Sequence, residues 1–327
     1  MSSLAMSRSD QRSGVRVGEQ VGGGLRGPRR VRGVGSGARR RRGHTMRLVA
    51  KHGLATLVAL FFLVPMVAAL LTSFKTNASA LTGDVLALPS SIHLGSYGAV
   101  FNLGGFAGFT KVSVIVSVVS TVIQVSVSTL AGYGFARYTF RGRGALFSLV
   151  LLTLMLPPTA LALPLFLEML HFPFAGGNGI GGGGGTGLLN TFPGLMAPYL
   201  VSGFSIFLAR QFFMSLPSEP GEAARVDGCR EWSVFWRVYR PLATPLIVIE
   251  TLFSFQTAWI DFLWPLIVAK GPSMYTLQVG LSEFQQEFTA QWADIMAAAI
   301  VASLPIMVIF VVGQRYLRRG IAWSGGR

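Results

Sequence analysis

The chain has 327 residues, of which 51% are apolar and only 13% charged, where an ordinary soluble domain carries about 25% charged residues. Its apolar runs are too long for the core helices of a soluble protein, so lipid accounts for the missing charge. The net charge of +15 does not mark a nucleic-acid binder, because 13 of the 28 Lys and Arg residues precede the first apolar run and most others fall in short stretches between runs, the distribution that orients membrane helices.

Residues 1–45 are rich in Gly, Arg and Ser and lack apolar periodicity. They are expected to be a disordered tail, since they cannot bury enough surface to offset the entropy of ordering. The Arg39–Arg42 run just before the first apolar segment reads as a topology signal or as an anionic-lipid or nucleic-acid contact, and Met46 begins a stretch that would serve as a normal N-terminus. No small-residue cleavage pattern follows the first apolar segment, which argues against a cleaved signal peptide.

A spanning helix needs about 20 mostly apolar residues. Six segments qualify or nearly do: 53–74, 112–135, 145–167 (interrupted by Pro157-Pro158), 191–213, 243–269 and 293–314. Arg137, Arg141 and Arg143 lie in the second connection, five arginines from Arg210 to Arg240 in the fourth, and Arg315, Arg318, Arg319 and Arg327 in the tail. The alternate connections hold almost no Lys or Arg. The bias predicts that both termini are cytoplasmic and that 75–111, 168–190 and 270–292 face outward. The outward 175–187 stretch is nearly all glycine and predicts a flexible spacer. It lacks the Lys-Ser or Lys-Thr that a phosphate-binding loop needs, so no ATP hydrolysis of that type is expected from this chain. Cys229 is the one cysteine, which rules out an internal disulfide. The four histidines are scattered, with no metal-ligand or Ser-His-Asp spacing.

The most informative stretch is 217–245, PSEPGEAARVDGCREWSVFWRVYRPLATP. It predicts two short helices and a turn. Ser218 is a candidate N-cap, Glu219 and Glu222 place negative charge at the positive helix end, and Gly228 is suited to a left-handed reversal. Trp232, Phe235, Trp236 and Tyr239 fall on one face of the second helix, which Pro241 is expected to stop. Small Ala223 and Ala224 allow a partner to approach closely, and Glu222, Arg225 and Asp227 can fix its orientation. By residues alone, the loop is either a docking element or a hairpin on the lipid surface.

EAARVDG with Pro241-Leu242 resembles the signature loop of ABC importer membrane subunits. The resemblance extends through FARYTFRGRG (135–144), LLNTFPGLMAPY (188–199), FLARQFFMSLPSE (207–219), TAWIDFLWPLIV (257–268), YTLQVGL (275–281) and the stretch 293–325, and covers roughly 46–327. It is closest to the carbohydrate branch and to the smaller partner of its permease pair. It implies an all-α integral membrane protein with a type I six-helix ABC importer bundle in 46–327. It also implies that the 218–240 loop couples to an ATPase through Glu222, Ala223, Ala224, Arg225, Asp227 and Gly228. The implied partners are a second homologous permease, an ABC ATPase dimer that binds the ATP, an extracytoplasmic solute-binding protein and membrane lipid. No cofactor, enzymatic activity or nucleic acid is expected in this chain, and the expected location is the bacterial cell membrane. Pro220-Gly221, Ile260 and Gln278 depart from the family's usual residues.

Within the spans, Ser113, Ser117, Thr121, Gln124 and Ser128 form one polar face of the second helix. Such a face either offers hydrogen bonds to a hydroxylated solute or joins helices. Asp261 and Glu250 are ionisable groups inside the fifth segment, functional candidates by their cost in lipid. Ser117, Thr121, Gln124 and Asp261 are the candidate pathway residues. Glu250 reads as water-facing near the cytoplasmic end, and Asp261 alternatively as an interfacial anchor or interhelical hydrogen-bond partner. A membrane scaffold or secretion component without a solute pathway is the rival class.

Overall fold

A computed structural model describes residues 36–102, 105–287 and 291–324. Residues 1–61 and 62–327 form two units. The first long helix, α1 (Ser36–Ser73), begins inside the tail expected to be disordered. Residues 36–45 are therefore helical: arginine is a good helix former, and extending an existing apolar helix avoids the cost of nucleation. Residues 1–35 lie outside the described residues.

Among the described residues all regular structure is helical. Val49–Ser73 of α1, α4 (Phe106–Arg137) and Trp292–Tyr316 of α15 (Trp292–Ser324) are each long and apolar enough to cross a membrane. Three bent pairs bring the possible spans to six. Pro157, extended at φ −67° and ψ 132°, separates α5 (Arg143–Thr153) from α6 (Pro158–Leu170), and the two helices meet at 104°. Proline excludes the preceding residue from helical geometry, so two in succession end α5 and start α6. The pieces α7 (Phe192–Met196) and α8 (Gly203–Ser215) are each capped by a hydroxyl, that of Thr191 on Gly194 N–H and that of Ser202 on Ser205 N–H. The stretch 192–199 meets α8 at 46°.

The expected fifth helix over 243–269 is instead α12 (Thr244–Ile260) followed by α13 (Leu263–Val268). Asp261 is extended at φ −68° and ψ 130°, and its carboxylate accepts from Leu263 N–H at 3.0 Å. A side chain that satisfies the next turn's amide in this way replaces helix continuation with a new helix start. Outside the 217–245 stretch, further short helices are α2 (Asn77–Thr82), α3 (Gly95–Asn102) and α14 (Leu277–Glu287).

Helix α4 is central, packed on α8, α12, α7 and α14. At Gly132 the α4 and α8 backbones approach so closely that a β-carbon would collide with Ala209, the small-residue contact that joins helices without a hydrophobic driving force. Trp259 of α12 donates its indole N–H to the Ala302 carbonyl of α15 at 2.9 Å. Large apolar side chains on the outside of the spans remain exposed, including Phe61 at 72% and Phe62 at 73%, as lipid-facing surfaces require.

The glycine-rich stretch 175–187 is not an open spacer. Asn178, 7% exposed, donates to the Leu170 and Phe172 carbonyls at 2.8 and 3.0 Å and accepts from Gly185 N–H at 2.8 Å. Thr186 N–H closes the loop onto the Gly176 carbonyl at 2.9 Å. Gly176, Gly177, Gly182, Gly184 and Gly187 all have positive φ, so the glycines supply turns that other residues enter only at a cost.

Candidate functional site

The C-terminal ends of α4 and α8 meet the 217–245 stretch around Tyr133, Phe213, Val234 and Tyr239. Helix α9 (Glu219–Val226) is too short to be stable alone. Ser218 does not cap it by its side chain: the residue is itself helical, at φ −86° and ψ −25°, and its carbonyl accepts from Gly221 and Glu222 N–H. Gly221 is the buried residue of α9 and lies against the ring of Tyr239. The Pro220-Gly221 departure is therefore a contact. The missing side chain of Gly221 is what lets the helix seat, a requirement that no sequence pattern displayed.

Glu222, Ala223, Arg225, Asp227 and Gly228 are exposed, and Ala224 is half-buried. Val226, 88% exposed, joins Ala223 on the open surface. Gly228 adopts φ +78° with no atom within 4 Å of the β-carbon position, so the reversal expected there is present and its demand is purely conformational.

The second helix is irregular. Helix α10 (Glu231–Val234) passes into a π-helical turn over Phe235–Tyr239 and then into α11 (Arg240–Leu242), which meets α12 at 77°. Pro241 does not stop the helix as expected. It has no N–H to donate and its ring excludes the normal i−4 carbonyl, and the wider π turn before it accommodates both. The expected aromatic face is consequently split: Phe235 and Tyr239 are 3% and 1% exposed, while Trp232 and Trp236 are 62% and 42% exposed. Val234, Phe235 and Tyr239 join Tyr133, Ala209, Phe213, Ala243 and Leu246 in the core beneath the loop.

Arg225 and Glu231 form a two-point ion pair, Nε to Oε1 at 2.6 Å and a second guanidinium nitrogen to Oε2 at 3.2 Å. Tyr138, just beyond α4, donates its hydroxyl to Glu231 Oε2 at 2.9 Å. The hydrogen bonds from Arg225 and then Tyr138 hold the Glu231 carboxyl below the usual glutamate range, against a partial desolvation that opposes the shift. Desolvation, followed by the bond to Glu231, raises the Tyr138 phenol above its usual value. Arg137 donates to the Leu216 and Pro217 carbonyls at 2.7 and 3.3 Å and lies over the Tyr239 ring at 4.6 Å.

The polar face of α4 is buried throughout: Ser113, Ser117, Thr121, Gln124 and Ser128 are all at most 6% exposed. Gln124 donates to Ser205 of α8 and accepts from Ser254 of α12, both at 3.0 Å. Ser113 accepts from Leu277 N–H at 2.7 Å. Ser117 and Thr121 hydroxyls are buried without a hydrogen-bond partner. Glu250 does not face water: it is 1% exposed and its Oε2 accepts from Thr129 of α4 at 3.1 Å. Helix α12 turns away from the bundle end at its 77° junction, so the position one and a half turns inside it is enclosed by α4. Asp261, half-buried at the α12–α13 break, accepts from the Tyr199 hydroxyl at 2.6 Å. The structure thus separates Asp261, at the helix break, from Gln124 inside the α4–α8–α12 contact. Among the described residues no group of His, Cys, Asp and Glu is placed to hold a metal.

Residues 124–323 match the family described as binding-protein-dependent transport system inner membrane component. The arabinooligosaccharides transport system permease protein AraQ of Bacillus subtilis is 31% identical over 273 residues, 82% of this chain and 92% of that protein. The lactose transport system permease protein LacG of Rhizobium radiobacter is 33% identical over 212 residues, 65% of this chain and 72% of that protein. A solved bacterial ABC transporter involved in import of the acidic polysaccharide alginate shares the fold, with a TM-score of 0.70 at 23% identity, over 84% of this chain and 98% of that one. On the family match across most of its length and the bent-pair helical bundle that carries it, the chain belongs to the binding-protein-dependent transport system inner membrane components, the multi-pass permeases of ABC importers.

Proposed function

We propose that this permease forms half of the pathway of an ATP-driven importer for a sugar or related polar solute. A second homologous permease supplies the other half, a solute-binding protein delivers cargo from outside, and an ABC ATPase dimer binds the ATP. The observation that carries the reading is the exposed surface of α9, where Glu222, Ala223, Arg225, Val226, Asp227 and Gly228 project on a helix seated from behind by Gly221 on Tyr239. Small residues at its centre admit a cleft wall, and charges at its rim fix register. The carbohydrate names of several relatives support the solute class.

ATP drives transport only if the two states of the ATPase dimer hold α9 in different places. The helices then switch access by rigid-body rocking. Asp261, with Tyr199 as partner, is the polar group we assign to the outer part of the pathway. Gln124 builds its wall by joining α4 to α8 and α12, and Ser117 and Thr121, with unpartnered buried hydroxyls, lie on the same face of α4. Both termini are cytoplasmic in this reading.

Ala223→Trp tests the docking surface. The permease should still insert, but the ATPase should no longer co-purify with it, and uptake of labelled arabino-oligosaccharide into membrane vesicles should fall in step. Retention of the ATPase with normal uptake would remove α9 as the docking element.

A further inference from the structure

Helix α9 has few means of moving anything. Its packing, buried Gly221 on Tyr239 and half-buried Ala224 on the core beneath, is a seat and not a tether. Its C-terminal end returns toward α10 through Gly228, closed only by short local backbone bonds, Gly228 N–H to the Arg225 carbonyl and Cys229 N–H to the Ala224 carbonyl, each at 3.0 Å. The Arg225–Glu231 pair and the Tyr138–Glu231 bond together form an unbroken polar chain from α9 to the end of α4. Glu231 is its centre, one carboxylate whose Oε2 accepts from both sides. Helix α4 is the most widely packed helix of the bundle, in contact with α8 and α12 along the buried polar face. An exposed ion pair adds little stability by itself. A two-point pair shared with a third donor instead fixes geometry, because both guanidinium bonds and the phenol bond constrain one planar carboxylate.

We infer that Glu231 is a positioning residue that locks α9 to α4, through Arg225 on one side and Tyr138 on the other, so that displacement of α9 by the ATPase is passed into the transmembrane bundle. The inference rests on the docking reading of α9. It assigns Glu231 and Tyr138 no contact with the ATPase. Loss of the lock should leave α9 able to bind but unable to pull.

The test uses the full complex of both permeases with the ATPase in lipid nanodiscs, Cys229→Ser throughout. A single cysteine at exposed Lys111, on the half of α4 remote from the loop, reports α4 movement as the change in maleimide labelling rate on addition of ATP and vanadate. In the parent complex ATP should change that rate. Glu231→Gln and Tyr138→Phe should retain the ATPase but lose most of the change in labelling rate. Glu231→Asp, which keeps a carboxylate between the two donors, should retain more of the change than Glu231→Gln, a difference that a general loss of folding would not produce. If Glu231→Gln labels like the parent, the lock is not what transmits motion, while docking stands. If Glu231→Gln sheds the ATPase, Glu231 belongs to the docking surface and the positioning role is wrong. If the parent itself fails to retain the ATPase, the docking reading fails first.

Discussion

Gly221 stands where α9 touches the rest of the protein. A β-carbon there would meet the Tyr239 hydroxyl and lie 2.8 and 2.9 Å from ring carbons Cε2 and Cζ. The ring cannot give way, because Tyr239 is 1% exposed, packed on Tyr133 at a centroid distance of 5.3 Å and covered by Arg137. Replacing a helical glycine by alanine ordinarily gains about 1 kcal/mol, whereas forcing a methyl into a filled contact costs about 1–3 kcal/mol. The difference opposes the seated helix by up to about 2 kcal/mol, a factor of up to about 30 in its population. Gly221→Leu adds volume without further propensity gain and should unseat α9 in most molecules. Gly228 supplies the control. Its β-carbon position is empty, so Gly228→Ala meets only the cost of φ +78°, about 1 kcal/mol, and Gly228→Asn should cost less because asparagine enters that region more readily. The assay is ATPase retention by the purified permease at matched membrane abundance, with uptake in the same vesicles. Retention should fall in the order Gly228→Asn, Gly228→Ala, Gly221→Leu. Parent-level retention by Gly221→Leu would refute the contact as the seat of the helix.

Thr129→Val removes the hydroxyl that bonds Glu250 and leaves that buried carboxyl without its partner on α4, at a cost of about 1–3 kcal/mol; a drop of several degrees in the melting temperature of the detergent-purified chain is expected, with Glu250→Gln less affected, and an unchanged melting temperature would show that the bond does not hold α4 to α12. Asn178→Asp sets a carboxylate against the Leu170 and Phe172 carbonyls, so the 175–187 loop should become protease-sensitive in intact cells or spheroplasts, and equal resistance would return it to the spacer reading. Gly183→Cys, at an exposed position where a β-carbon meets nothing within 4 Å, should react with an impermeant maleimide in intact cells and Ser324→Cys should not; the reverse would invert the topology. Because Arg225 holds the Glu231 carboxyl below its usual range, the pair's contribution is complete above the ordinary glutamate value and is lost only as pH falls through the lowered one. Transport should therefore show no step from Glu231 between about pH 6 and 8, and a step that Glu231→Gln abolishes would contradict the sign.

The membrane class, the helical fold and the short helix with its reversal at Gly228 were legible in the residues, because each depends on local quantities. Apolar length gives the spans, arginine placement gives the alternation of loops, and EAARVDG with Gly228 gives a short helix and its reversal. Positive φ at Gly228 followed from its place after Val226 and Asp227, since a helix that ends there must turn. Less of the second loop helix was legible. Four aromatics at helical spacing predicted one shared apolar face, but across the π turn before Pro241 Phe235 and Tyr239 are buried while Trp232 and Trp236 are exposed.

The sequence by itself determined that this chain is a membrane protein and that it is built of helices. Only the tertiary structure decided where the spans break and whom the polar groups meet. Asp261 ends a helix because Leu263 N–H and the Tyr199 hydroxyl are both within reach of its carboxylate. Glu250 is buried because α4 brings Thr129 against it, 121 residues away in the chain. Gly221, in sequence a departure from the family's usual residues, is a packing contact because Tyr239 fills the space beside it. A sequence displays the polarity and length of each segment, but partners distant along the chain are set by how helices pack, and in a low-dielectric interior the partner decides what a polar side chain does.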